Sequence, residues 1–294
     1  MKQIIIIVLS FCCLMEVKAQ SNNANYIQMR NDGIELMRKY EYSAAFRMFD
    51  GASGFANSSN EIRELAGLQK QLNDSIRSTY NRGINLIDKS NKTSAYLVGI
   101  QELNKLVPPD NLYVPQLFSW LGFAYEQLNK PYDAMEQYAQ GVDHEELYSA
   151  WRLAELLQKY KSVSVDSLVG LYEYASPRYK ESFDRLGDLF FSTSPNTAYS
   201  YYKESQSNYG KYKMATLLLT RNVTSDDNPV RILENLSNDN YADAQFYLGL
   251  LYFHGEHVTQ NTNKGLKLIQ LAETNGNKAA KQWLIDRNKE LNEL

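Results

Sequence analysis

The chain has 294 residues and a formal net charge of −3, with 31 Lys and Arg against 34 Asp and Glu. That mildly acidic balance argues against nucleic acid as a general partner, because binding to it is carried by Lys and Arg neutralising phosphates. The only cysteines are Cys12 and Cys13, so the rest of the chain offers no disulfide, no thiol nucleophile and no Cys-bound metal.

The first element reads as a leader. Lys2 precedes an apolar run from Ile4 to Met15, too short for a membrane-spanning helix, which needs about 20 apolar residues. Val17 and Ala19 supply small residues at −3 and −1, as a secretory signal peptide over residues 1–19 requires, with Gln20 as the new N-terminus. The expectation is an exported chain, periplasmic or secreted, with envelope association as a possibility. Lipidation at Cys12 or Cys13 is the weaker reading, since Phe11 and Cys12 stand where a lipidated cysteine needs a small residue before it. No later stretch is long and apolar enough to span a bilayer.

Beyond the leader the pattern is helical. Strand alternation is hinted at only by Val163 and Val165. Ser176-Pro177, Ser194-Pro195 and Asn228-Pro229 read as helix starts, with a capping side chain followed by proline in the first turn. Small residues then recur. Gly33 is followed twelve residues later by Ala45 and four later by Phe49, and Gly122 by Ala134 and Tyr138 at the same intervals. A small residue on one helix facing a small residue on the next lets two antiparallel arms approach, while the aromatic fills the space beside the crossing. Anchors at Gly33, Gly83, Gly122, Ala154, Gly187, Ala215 and Gly249 predict seven hairpins. The 50-residue gap from Gly33 to Gly83 predicts a longer helix near 60–90, and a final helix near 277–291 closes the chain.

On these residues the chain resembles the tetratricopeptide repeat family. Trp120-Leu121-Gly122 with Ala124-Tyr125, then Ala134, Tyr138 and Gly141, carry the pattern best. Residues 26–53 follow it through Gly33, Leu36, Ala45, Phe49 and Ala52, and residues 180–206 through Gly187, Ala198 and Tyr202. Residues 241–276 are similar to the Sel1-like relative, with Leu248-Gly249, Tyr252, Gly255, Gly265, Ala272 and Gly276. Here Asn261 replaces the usual Asp, Gly265 the usual Ala, Leu268 a common aromatic, and His257 a second Gly. The best units are 26–53, 115–143, 180–206 and 241–276. The resemblance implies an all-α solenoid over 20–294, a right-handed superhelix of about seven hairpins with a C-terminal capping helix. Stacked hairpins share a core, so such a chain folds without cysteines.

Chemistry is sparse. His254-Gly-Glu-His257 could ligate a metal, yet no second ligand cluster accompanies it and the segment matches the family's turn. No nucleophile elbow, phosphate loop or dinucleotide fingerprint is present. We therefore expect no catalytic, metal or cofactor site, and a binding protein rather than an enzyme. The family's first helices line a concave face. That carry-over marks Ile34, Met37 and Arg38, then Phe123, Glu126 and Gln127, then Asp188 and Phe191, and finally Leu250 and Phe253, as candidate contacts for a protein or peptide. The competing reading is carbohydrate binding, motivated by eight tyrosines in 172–212: Tyr172, Tyr174, Tyr179, Tyr199, Tyr201, Tyr202, Tyr209 and Tyr212. Adjacent Tyr201 and Tyr202 cannot both face a core.

Overall fold

The computed structural model describes residues 2–107, 116–221 and 223–292, with side chains described from 20 to 289 within those ranges. The expected leader with its two cysteines lies outside the residues whose side chains are described, and Pro108, Pro109 and Pro115 lie outside the described residues. Among the described residues there are fifteen α-helices and no strand. The expected all-α helical-repeat fold is the one observed. No described helix is long and apolar enough to cross a membrane.

The helices pair as antiparallel hairpins: α1 (Lys2–Arg38) with α2 (Tyr42–Ser53), α3 (Ser59–Asp88) with α4 (Thr93–Asn104), and α5 (Leu117–Gln127) with α6 (Pro131–Asp143). Then come α7 (Leu147–Tyr160) with α8 (Val165–Ala175), α9 (Glu181–Phe190) with α10 (Pro195–Ser205), α11 (Asn208–Thr220) with α12 (Pro229–Asn238), and α13 (Ala242–His254) with α14 (Thr262–Thr274). Helix α15 (Lys278–Asn292) ends the series. All seven anchors fall on the first helix of a hairpin, and the long gap is filled by the 30-residue α3. The chain divides into two compact units, Met1–Ser149 and Ala150–Leu294, the boundary falling inside α7.

Local signals set the helix ends. Ser58 and Glu61 form a reciprocal capping box at α3, and Ser164, Ser207, Asn228 and Asn261 each accept a backbone N–H at a helix start, satisfying donors that have no partner within the helix. Asn261 thus does the capping work of the Asp it replaces. Pro131, Pro195 and Pro229 open α6, α10 and α12, where a missing N–H costs nothing. One expectation fails: Ser176-Pro177 does not start a helix. Ser176 is the C-cap of α8, and Pro177 lies in the turn before α9, a position proline favours because it cannot continue the helix. The valines hint at no strand either, since Ser164 caps α8 and Val165 begins it.

The five glycine-anchored hairpins close in two ways. In α1/α2, α5/α6 and α9/α10 the anchor glycine faces the aromatic itself, not the small residue expected opposite. A Cβ at Gly33 would lie 2.5 Å from the Phe49 ring, one at Gly122 would lie 2.5 Å from Tyr138, and one at Gly187 would overlap Tyr202. Phe49, Tyr138 and Tyr202 are fully buried, as are Ala45, Ala134 and Ala198 beside them. In α3/α4 and α13/α14 backbone meets backbone. A Cβ at Gly99 would lie 3.1 Å from the Gly83 carbonyl oxygen, and one at Gly265 2.7 Å from that of Gly249. Gly265 in place of alanine therefore permits a closer crossing. Gly255 (φ 78°) and Gly276 (φ 91°) serve turns instead, in the left-handed region.

Two of the hairpins are tied to the start of the following helix by polar clasps. In the first unit Glu146, just before α7, accepts from the Ser119 backbone N–H (2.9 Å), the Ser119 hydroxyl and the Ser149 hydroxyl (2.9 Å). In the second unit the roles are exchanged: Asp184 sits at the α9 position matching Ser119, three residues before its anchor, and accepts from the hydroxyl of Ser207, the N-cap of α11 (2.8 and 2.9 Å). Burial raises the Asp184 pKa from its ordinary value.

Candidate partner-binding surface

The second unit carries a repeated three-part arrangement on its first helices. Glu155 and Asp188 each follow their anchor by one residue. Tyr172 of α8 donates its hydroxyl to Glu155 (2.9 Å), and Arg185 of α9 reaches back to the same carboxylate through Nε (2.8 Å) and Nη2 (3.2 Å). One repeat on, Tyr202 of α10 donates to Asp188 (2.7 Å), and the Lys213 ammonium of α11 stands 3.6 Å from it. Each carboxylate therefore joins a tyrosine from its own hairpin to a base from the next. Burial raises the pKa of both tyrosines, with the neighbouring carboxylate adding to it, so the hydroxyls stay protonated donors.

Further aromatics complete this face. The Tyr209 hydroxyl straddles the two Asp188 oxygens at 2.7 and 2.9 Å, and Lys213 lies 3.9 Å above the Phe191 ring, within cation–π range. The four charged side chains remain partly open to solvent: Arg185 is 46 % exposed, Asp188 25 %, Lys213 22 % and Glu155 20 %.

The structure thus brings the expected contacts Asp188 and Phe191 together. The other expected contacts are placed as follows. Ile34 and Met37 are partly buried against the core of the first unit, and Arg38 is exposed at the end of α1. Phe123 packs edge-on to Trp120, Glu126 accepts the Tyr138 hydroxyl (2.6 Å), and Gln127 is exposed. Leu250 packs on the cluster of Ile269, Ala272 and Ala280, and Phe253 meets Trp283 of α15 edge-on at 5.0 Å. At this last hairpin the closing helix occupies those positions. Tyr125 is partly buried against the first core, and Tyr252 donates to Glu234 (3.0 Å) beneath Lys264.

Sequence reasoning missed Glu155, Arg185 and Lys213, and named Tyr209 only among the tyrosines of the carbohydrate reading. A signal was present: Arg152, Arg185 and Lys213 each stand two residues before an anchor in three consecutive first helices. It also missed a shallow groove of about 850 Å³ along α3, flanked by Arg77, Asn81, Arg82 and Asn85.

The tyrosines of 172–212 are largely committed to internal contacts. Tyr199 donates to Asp227, Tyr201 donates to Glu173 (2.8 Å) and stacks on Phe190, Tyr179 stacks on Trp151, and Tyr212 meets Tyr241 and Tyr247. As expected, Tyr202 is buried and its neighbour Tyr201 is partly exposed. Tyr174 remains 40 % exposed. The stretch that motivated the carbohydrate expectation is therefore largely accounted for by helix-to-helix bonding. His254 ends α13, and His257 adopts a left-handed φ of 60° in the following loop.

This architecture is that of the tetratricopeptide and Sel1-like class of helical-repeat proteins. The chain is similar in structure to a Sel1 repeat protein from Oxalobacter formigenes, with a TM-score of 0.54 and 17 % identity over 69 % of this chain and 84 % of that one. It is also similar to c5321, a protective antigen present in uropathogenic Escherichia coli strains and displaying an SLR fold, with a TM-score of 0.51 and 14 % identity over 92 % of this chain and 73 % of that one. No family model and no curated protein matches the sequence. At these identities the likeness establishes the fold and nothing further.

Proposed function

We propose that the chain is an exported scaffold that binds another protein or peptide through the first-helix face of its second unit. Helical-repeat folds of this class typically mediate protein–protein contacts without catalysing a reaction. The observation that carries the reading is the ordered set of Glu155, Arg185, Asp188, Phe191, Tyr209 and Lys213: each member contacts another of the set, yet all stay partly open to solvent. A rigid mixture of aromatic rings and charges is the composition of interface hot spots. Export rests on the sequence of residues 1–19, and N-terminal sequencing of the native protein should begin at Gln20.

The reading is tested by crosslinking and capture from the exported fraction of the native cell. A stable protein partner, lost on replacing Phe191 and Tyr209 by alanine, is the expected result. Recovery of no partner, together with measurable turnover of a small molecule, would overturn it.

A further inference from the structure

A cut after Ala19 falls inside α1 and leaves a glutamine as the first residue. Gln20, Ser21, Asn23, Ala24 and Asn25 are exposed, and Asn22 is half-buried. No side chain from Gln20 to Asn25 forms a hydrogen bond or ion pair with another described residue. Packing begins at Tyr26, which is 2 % exposed and donates its hydroxyl to Glu64 (2.8 Å). The cut also removes the carbonyls that accept the N–H groups of the next turn, and a helix end needs other acceptors in their place. Ser21, Asn22 and Asn23 are of the residue types that supply them. Gln20 is then left ahead of the cap, with no contact to hold it.

A terminal glutamine carries a nucleophile and an electrophile that can meet. Its α-amino nitrogen and its side-chain carbonyl carbon, Cδ, close a five-membered ring. Resting on the export reading above, we infer that Gln20 cyclises and that the mature chain starts with pyroglutamate. The α-nitrogen attacks Cδ, a new C–N bond forms, the Cδ–Nε2 bond breaks and ammonia leaves. One amide replaces another, so no oxidant, reductant or water is consumed. The surroundings favour the step. An exposed side chain without contacts is free to fold back, and the positive end of α1 disfavours a protonated amine beside it. Cyclisation removes that charge, as terminal acetylation does. The lactam offers an aminopeptidase no free α-amine, so the polar stretch ahead of Tyr26 is protected from trimming.

The test is tandem mass spectrometry of the N-terminal peptide of the native protein, taken from the exported fraction and digested briefly so that the ring cannot form during handling. A peptide that starts at position 20 and is lighter than its sequence by one ammonia is expected. Stepwise chemical degradation of the intact chain should be blocked, and treatment with pyroglutamyl peptidase should restore it, starting at Ser21. Gln20→Asn is one methylene too short to close the ring. It should show a free α-amine and lose residues to an added aminopeptidase that leaves wild type intact. A peptide starting with unmodified Gln20 overturns the inference and leaves the export reading standing. A terminus at any other residue overturns the inference together with the cut on which it rests.

Discussion

Gly122 and Tyr138 share a space that only one of them can fill: a Cβ at 122 would lie 2.5 Å from the Tyr138 ring, which is fully buried and cannot swing away. Gly122→Ala should therefore destabilise by about 2–3 kcal/mol, the cost of overpacking a closed core. Gly170 provides the contrast, being exposed in mid-α8 with nothing near its missing Cβ. Gly170→Ala should stabilise by about 0.5–1 kcal/mol, through helix propensity alone. Urea unfolding of the two variants checks both signs.

The exchanged clasps make opposite demands on charge. Glu146→Gln replaces an acceptor-only carboxylate facing three donors with an amide that brings N–H groups of its own, and should cost about 1.5–3 kcal/mol in urea melts. Asp184 gives a pH signature. Its folded pKa lies above the unfolded value, so between the two the native state holds more protons and stability falls as pH rises. Relative to Asp184→Asn, wild type should gain stability as pH falls toward the ordinary aspartate value of about 4, against the trend of the exposed, hydrogen-bonded Glu61, whose pKa is lowered. A difference that is flat or of opposite slope contradicts the assignment.

His257 holds a φ of 60°, a conformation that costs a residue with a Cβ roughly 1–2 kcal/mol. His257→Gly removes that strain and adds unfolded-state entropy, for a net stabilisation of about 0.5–1 kcal/mol. A shift to higher thermal midpoint is the readout. The loop's Sel1-like form survives the loss of the usual glycine because Gln260 binds the Phe253 carbonyl (3.1 Å) and Asn261 caps α14.

Tyr202 separates packing from hydrogen bonding. Tyr202→Phe keeps the ring beneath Gly187 and removes one donor from Asp188, which Tyr209 and Lys213 still face; the expected cost is about 1 kcal/mol. Tyr202→Ala opens a cavity and should cost about 3–5 kcal/mol. Denaturant midpoints of the pair measure the split.

The hairpins were legible because small residues at helix crossings leave a direct trace in sequence: every anchor from Gly33 to Gly249 lies on a first helix, and the long gap became α3. What faces each glycine was less legible. A twelve-residue spacing pointed to Ala45 and Ala134, yet Phe49 and Tyr138, four residues on, are the side chains for which the glycine clears room. Gly83 and Gly99 share the sixteen-residue separation of Gly249 and Gly265, a parallel that periodicity alone did not single out. The face of the second unit was half legible. Asp188 and Phe191 followed from family geometry, but their partners Arg185, Tyr209 and Lys213 lie on different turns and helices, and only folding brings them together. Tyrosine abundance pointed outward to ligands, whereas most of those hydroxyls are tied to carboxylates within the chain.

The most direct test of the binding account places a photo-crosslinking amino acid at position 185, on the first-helix face, and separately at position 174, where Tyr174 is exposed on α8. Irradiation in the native envelope should give a protein adduct from position 185 and none from 174. Adducts from 174 alone, or from neither position, would contradict it.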